Sequence, residues 1–411
     1  MINTMQAALG SGPRYESITP LLKKLARLGQ TTDPIQPDEI AEALYLLLDD
    51  KLTDTQSAAL LSLLHQKKKD QDTAIIGESL RCIIQPKIDE ATLQQVISTR
   101  RKPEGNYLGG LCELAGTGGN ATSTLASVAA TASFIASPFL LVCQHGYMGA
   151  NSPTPSMGND LILASINPAP PALSNITPKN IAEVLKESNY AFLPEPNFYP
   201  TMKHANSIRE GLGIRTIFDL ISTLVHPIQG HIEARVIGVP NPDLGPALAE
   251  ALRDTGVKKA LVVSGHGSID QISPEGGTSC WMFSDSDTAI QHFQLQPSDF
   301  GLLERPLDTV KARVRGVLEE AATLVDILQG RLLDVDPVLQ FVLIHAAALL
   351  VTSGVCDTDV SEKLGGKGDV IKERGPGGQR WKEGLRRAKW SIESGEAHKI
   401  LETYVRVTSQ L

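Results

Sequence analysis

The sequence predicts an α/β protein: a small N-terminal helical domain followed by a larger α/β domain built on a central, mostly parallel sheet. Three observations carry this. Leu and Ile recur at helical spacing through the first hundred residues. From Arg101 the texture changes to short apolar runs that end in glycine and lead into amphipathic stretches, the signature of strand, turn and helix in alternation. The chain of 411 residues also exceeds the roughly 250–300 residues at which single cores stop growing.

In chain order, ITPLLKKLARL from Ile18, PDEIAEALYLLLDD from Pro37 and TDTQSAALLSLLHQ from Thr53 each begin near Ser, Thr, Pro or Asp and predict helices. The helical domain is placed at 1–100, completed by helices within 177–212, and the α/β domain with C-terminal helices at 101–411. FLLVCQHG from Phe139, RVIGVPNPDLGPALAEALRDTGV from Arg235 and KKALVVSGHGSID from Lys258 supply strands followed by glycine turns or helices. Ligands of such a sheet bind at the carboxyl ends of its strands. FVLIHAAALLVTSGVC from Phe341 includes His345 and is shorter than the ~20 apolar residues of a membrane span, so it predicts a buried helix. EKLGGKGDVIKERGPGGQR from Glu362 predicts a long surface loop before a helix that starts near Trp381.

Composition narrows the partner. A net charge of -8, with neither basic patch nor basic tail, argues against nucleic acid or an anionic membrane and for a small molecule. The cysteines Cys82, Cys112, Cys143, Cys280 and Cys356 form no CxxC pair and suit reduced thiols in the cytoplasm. The N-terminal MINTMQAALGSGPRYES has no apolar signal core.

The most chemical stretch is AGTGGNATSTLASVAA, from Ala115. Backbone amides of a glycine loop and the N-terminus of the next helix can cradle phosphates, yet this stretch holds no Lys, Arg or acid. Alone, it reads as a tight turn. Further landmarks follow in order: HG after FLLVCQ, MKHANSIREGLGIRTIF from Met202, ALVVSGHGSIDQIS from Ala260, FQLQPSDFGL from Phe293 and WKEGLRRAKWSIESG from Trp381. Together they resemble the anthranilate phosphoribosyltransferase family over nearly the whole chain, and ERGPGGQRWKEG resembles its fungal branch. The resemblance implies a nucleoside phosphorylase/phosphoribosyltransferase-like fold, an active site in the cleft between the domains, and a homodimer formed through the helical domain. It also implies transfer from phosphoribosyl pyrophosphate to anthranilate with Mg²⁺, in tryptophan biosynthesis.

Carried over position by position, the resemblance breaks at charged contacts. The glycine loop is kept as Gly116, Thr117, Gly118 and Gly119, but Asn120 replaces the family's Asp. The family's Asn-x-Ser-Thr run falls on Leu125, Ala126, Ser127, Val128 and Ala129. Its Lys-His-Gly-Asn-Arg falls on Gln144, His145, Gly146, Tyr147 and Met148. Its magnesium pair of Asp and Glu becomes Asp270 and Gln271, which removes a carboxylate from a hard-cation site. The acceptor side keeps Arg209, at the position whose guanidinium pairs with the anthranilate carboxylate, together with Lys203, His204 and Arg215; Ser207 and Asp219 depart from the family's Pro and Asn.

Three readings stay open. The leading expectation is a scaffold that has lost phosphoribosyl pyrophosphate and magnesium chemistry and serves an uncharged, partly apolar small molecule, as a cofactor-independent cyclase or isomerase of fungal secondary metabolism. No cofactor and no metal are expected under it. His145, Lys203, His204 and Asp219 are its candidate catalytic groups. Gly116 to Asn120, Tyr147, Met148, Tyr199, Arg209 and His266 are its candidate binding residues. The alternatives are an active anthranilate phosphoribosyltransferase and a non-catalytic binding or regulatory paralogue. Taken singly, Arg209 also reads as a surface helix residue, and His145 and His204 as structural histidines.

Overall fold

Helices open the chain, and their ends follow from local chemistry. In the computed structural model, which describes residues 15–27, 34–116, 127–146, 158–313, 316–361 and 370–411, the first five are α1 (Thr19–Ala26), α2 (Pro37–Leu48), α3 (Asp54–Gln66), α4 (Thr73–Leu80) and α5 (Glu90–Arg100). Gln36 and Glu39 form a capping box on α2, and the side chains of Thr53, Asp72 and Asp89 accept the first free N–H groups of α3, α4 and α5. Leu44 and Leu47 of α2 and Leu60, Leu61 and Leu64 of α3 are buried, α2 packing on α4 and α3 on α1.

The remaining chain runs β1 (Leu111–Gly116), α6 (Val128–Ala136), β2 (Leu141–Gly146), α7 (Asn159–Ala164), α8 (Ile181–Glu187), β3 (Tyr190–Pro194), α9 (Glu195–Phe198), α10 (Met202–Leu212) and α11 (Ile217–Leu224). It continues through β4 (Ile232–Gly238), α12 (Gly245–Asp254), β5 (Lys259–Gly265), β6 (Thr278–Phe283), β7 (Gln291–Leu295) and α13 (Leu307–Lys311). It ends with α14 (Val317–Leu328), α15 (Pro337–Ser353), α16 (Trp381–Glu393) and α17 (Glu396–Ser409). The sheet order is β3-β2-β1-β4-β5-β6-β7. The first five strands are parallel, and β6 and β7 add an antiparallel edge.

The chain winds outward from β1 to β3 and then returns to place β4 on the other side of β1. The winding reverses between β1 and β4, and such a switch point opens a crevice at the strands' carboxyl ends. On one side of the sheet α15 is buried along its length and packs on α6, α16 and β4, as its unbroken apolar run predicts. Asp336 caps its start and Gly354, at φ +89°, ends it. On the other side α10 packs on α2 and α3, and α11 on α3 and α4, so these helices lie between the first hundred residues and the sheet. Among the described residues no helix is long and apolar enough to cross a membrane.

Candidate functional site

At the switch point Gly116, the last residue of β1, pairs with Gly238, the last of β4. The turn after β5 folds back over them: the Gly265 N–H donates to the Ile269 carbonyl at 2.9 Å, with Gly267 and Ser268 both at positive φ. A side-chain carbon on Gly238 would stand 1.6 Å from the Asp270 carbonyl oxygen, and one on Gly116 3.0 Å from Asp270 Oδ2. Glycine at both strand ends therefore lets Asp270 seat itself, buried, where the glycine loop begins. Gln271 follows it. A carboxylate and an amide are both oxygen donors, so this pair fits Mg²⁺ in kind, with one negative charge fewer than two carboxylates. His266 is exposed at the outer edge of the same turn, beside Gly276. Thr117, Gly118, Gly119, Asn120, Tyr147 and Met148 lie outside the described residues.

Beyond the glycine loop the chain supplies its own anion. The Ser127 N–H, at the start of α6, donates to Glu320 Oε2 at 2.7 Å, and Glu320 is buried on α14. A helix N-terminus attracts negative charge, and here an internal carboxylate occupies it. Val128 is buried in the first turn of α6. Gln144 is structural as well: its Nε2 donates to the Leu114 carbonyl at 2.8 Å and its Oε1 accepts from the Tyr190 hydroxyl at 2.8 Å.

The acceptor side is a chain of polar side chains running through α9, α10 and α11. Arg209 is buried rather than on the surface; its Nη2 donates to Asp219 Oδ1 at 2.7 Å and its Nη1 to Asn206 Oδ1 at 2.8 Å. Asn206 in turn donates to Glu195 Oε1 at 2.6 Å. The second oxygen of Asp219 accepts the Thr216 N–H at 2.7 Å, so the same carboxylate caps α11 and neutralises Arg209. Burial pushes the Glu195 carboxyl above its ordinary range, with the Asn206 hydrogen bond and the charges of Arg209 and His145 opposing it.

Glu195 also lines a small cavity of about 10 Å³, room for about one water, walled by Ile83, Tyr199, Met202, Ile221, Ser222 and Val225. Arg209 is not among these walls. Tyr199 is buried there, donating to Gln85 Oε1 at 3.2 Å, and burial pushes its hydroxyl up. Lys203 is exposed on α10. His204 turns toward the start of α3, with ring nitrogens 3.5 Å from Asp50 and 3.9 Å from Asp54. The structure thus brings Tyr199 to the cavity and Asp219 to Arg209, and puts Lys203, His204 and His266 elsewhere.

His145 belongs to a buried charged cluster that the motif reading misses. Glu113 on β1 meets Arg235 Nη2 on β4 at 2.6 Å and His145 Nδ1 on β2 at 2.5 Å, and His145 Nε2 reaches the Ser222 carbonyl at 2.7 Å. Arg235 also donates to the carbonyls of Leu224 at 2.7 Å and Thr223 at 2.5 Å. Burial alone would push the Glu113 carboxyl up, but Arg235, His145 and His226 outweigh it and hold it well below the usual carboxylate range. His226 receives the Ile228 N–H on Nδ1, which leaves its Nε2–H to donate to the Cys143 carbonyl at 3.1 Å. Burial lowers its pKa to about 3. Glu113, His145 and His226 are the one trio among the described residues with ligand atoms within 4.8 Å of one another. With Arg235 on the carboxylate and His226 Nε2 carrying its proton, the trio is a structural charge cluster, not a metal centre.

Comparison with known proteins agrees with this architecture. The model of the glycosyl transferase family α/β domain matches residues 109–398. The anthranilate phosphoribosyltransferase of Schizosaccharomyces pombe is 30% identical over 369 residues, which cover 90% of this chain and 91% of that protein. Its Saccharomyces cerevisiae counterpart is 29% identical over 366 residues, 87% of each. The solved structure of the S. cerevisiae enzyme in complex with PRPP and Mg superposes with a TM-score of 0.74 at 25% identity, covering 96% of this chain and 99% of that one.

Proposed function

Because the chain belongs to the glycosyl transferase family of the anthranilate phosphoribosyltransferases, we propose that it is a phosphoribosyltransferase-type enzyme working at the β1–β4 switch point. In this reading the nitrogen of an amine acceptor forms a bond to the ribosyl carbon of phosphoribosyl pyrophosphate, and the bond to pyrophosphate breaks. The observation that carries it is the position of Asp270, seated by Gly116 and Gly238 at the mouth of the glycine loop. Asp270 and the Gln271 amide oxygen would hold Mg²⁺, which when bound offsets the charge of the pyrophosphate. The backbone from Gly116 to Gly119 would cradle that group. Glu113 keeps His145 and Arg235 in place beneath the cavity without itself touching substrate.

A second reading has its own support: a pocket remade for an uncharged ligand and a reaction such as cyclisation or isomerisation. It is favoured by Glu320 at the start of α6 and by Gln144, buried in the sheet where the family resemblance puts a lysine. Calorimetric titration of the full chain with phosphoribosyl pyrophosphate and Mg²⁺ separates the two. Micromolar binding that Asp270→Ala weakens by about tenfold or more, the loss of one charge-assisted contact, supports transfer. No binding at millimolar ligand gives first place to the remade pocket.

A further inference from the structure

We propose that a cavity at the amino end of β5 is a binding site for a small organic cation, a primary ammonium carried on an apolar body. Lys259, which opens β5, lines it, whereas Gly265 ends that strand on the side of the glycine loop, about 20 Å away at the rise of an extended chain. The site is therefore separate from the switch point and does not depend on the phosphoribosyl transfer reading. Its volume of about 370 Å³ suits a small molecule. The chain sets the frame through short contacts. The Asn106 N–H donates to the Gly354 carbonyl at 2.9 Å, and a side-chain carbon on Gly354 would stand 2.8 Å from Asn106 Cβ, so the turn before β1 sits tight against the end of α15. After β6, Asp287 Oδ2 accepts both the N–H and the hydroxyl of Ser284, at 2.8 and 2.9 Å.

The balance of charge on the wall selects the ligand. Lys259 is fully committed: its Nζ donates to Glu233 at 2.6 Å and to the carbonyls of Asn106 and Ser353 at 2.5 and 2.9 Å. Among the described residues this leaves Arg374 as the one other cation on a wall that carries Asp285, Asp287 and Asp357. It stands 4.0 Å from Asp357 and donates to the Gly378 carbonyl. The surplus negative charge is offset by an ammonium ligand and aggravated by a carboxylate. Carboxylates alone would attract any cation, and Thr352 narrows the choice to one that donates N–H groups. It lines the cavity from α15, is 1% exposed, and its hydroxyl has no hydrogen-bond partner among the described residues. The buried helical threonines Thr131 and Thr223 give their hydroxyls to the carbonyl four residues back, at 2.8 and 2.9 Å. Thr352 does not, so its oxygen is left for a ligand, and a ligand N–H relieves the cost of an unsatisfied buried group. Met282 and Val351 on the same wall offer apolar contact to the body of the molecule, which a bare metal ion would not use.

Calorimetric titration of the full chain with benzylamine, and with benzyl alcohol as its uncharged counterpart, tests this. Benzylamine should bind at least about tenfold more tightly, the scale of one charge-assisted contact. Asp357→Asn should weaken benzylamine by about tenfold and leave benzyl alcohol unchanged. Thr352→Val keeps the shape and removes the hydroxyl. It should also weaken benzylamine by about tenfold, without lowering the thermal midpoint of the ligand-free chain, because the hydroxyl has no partner to lose. No benzylamine binding at millimolar concentration, equal affinity for the two probes, or displacement of benzylamine by an equal concentration of Mg²⁺ overturns the proposal. So does a Thr352→Val variant with a lower midpoint and unchanged benzylamine affinity, which would assign the hydroxyl to the fold.

Discussion

The two ends of the cleft handle charge in opposite ways. At the sheet end, glycines at the tips of β1 and β4 bring the Asp270 carboxylate to the loop that the family resemblance assigns to phosphate. Deeper in, the carboxylates pair with the chain's own cations: Asp219 of α11 satisfies Arg209 of α10, and Glu113 satisfies Arg235 and His145 on the neighbouring strands. The first arrangement keeps a site by shaping backbone, the second by cancelling its own cations. A pocket can therefore keep the outline of its relatives and still change what it recognises, because outline depends on packing and recognition on which charges remain unmatched.

The comparison breaks most sharply at Glu113. Replacing it with Ala would leave Arg235 buried without its anion, a change that costs ~3–5 kcal/mol. Urea denaturation should show that loss at neutral pH. The folded state holds the Glu113 carboxyl below its ordinary value, so its contribution is present above the unfolded pKa and fades as pH falls through and below the usual carboxylate range. The gap between variant and wild type should therefore narrow on acidification below about pH 4. A gap that stays constant across that range would mean that the cluster contributes packing and not charge.

Gly238→Ala sharpens the contrast at the sheet end. Its methyl group would meet the Asp270 carbonyl at 1.6 Å, so the turn must move. Overpacking of this kind costs ~1–3 kcal/mol, visible as a lower thermal midpoint. Calorimetric titration should show that the variant loses affinity for phosphoribosyl pyrophosphate with Mg²⁺. Wild-type affinity in a variant that still folds would place the Asp270 turn outside the donor site.

What the sequence discloses depends on how local each constraint is. The Leu repeat of α2 and α3 and the unbroken apolar run of α15 are self-contained, and both read directly as helices. The direction of β6 and β7 is not local, since it depends on the pairing of TSCWMF with β5. In the site, Arg209 and Asp270 stand out through motif order. Asp219 does not read as the partner of Arg209, because their meeting depends on the turn at Gly213, at φ +63°, that separates α10 from α11. Glu113 and Arg235 are nevertheless detectable: Glu113 is a lone charge inside an apolar strand, Arg235 shares its apolar strand with Glu233 alone, and a buried charge needs a partner. The partner's identity is a property of the sheet register, which pairs Glu113 with Arg235. Glu195 follows the apolar YAFLP, where a strand end and a helix start look alike, so nothing local marks it as part of a cavity wall.

His204 should give the smallest effect of all. Its ring lies on the side of α10 that faces Asp50 and Asp54, at 3.5 and 3.9 Å, too far for short hydrogen bonds, and those carboxylates are 70% and 84% exposed. Ion pairs in water of this kind are worth ~0–1 kcal/mol, and salt screens them further. His204→Ala should therefore shift the urea midpoint slightly, and the shift should shrink at high salt. Met202 and Tyr199 face the cavity from the same segment, whereas His204 does not line it. Affinity for phosphoribosyl pyrophosphate with Mg²⁺ should then be unchanged in the variant. If His204→Ala instead moved that affinity by about tenfold, the scale of a lost charged contact, the outer face of α10 would belong to the substrate site.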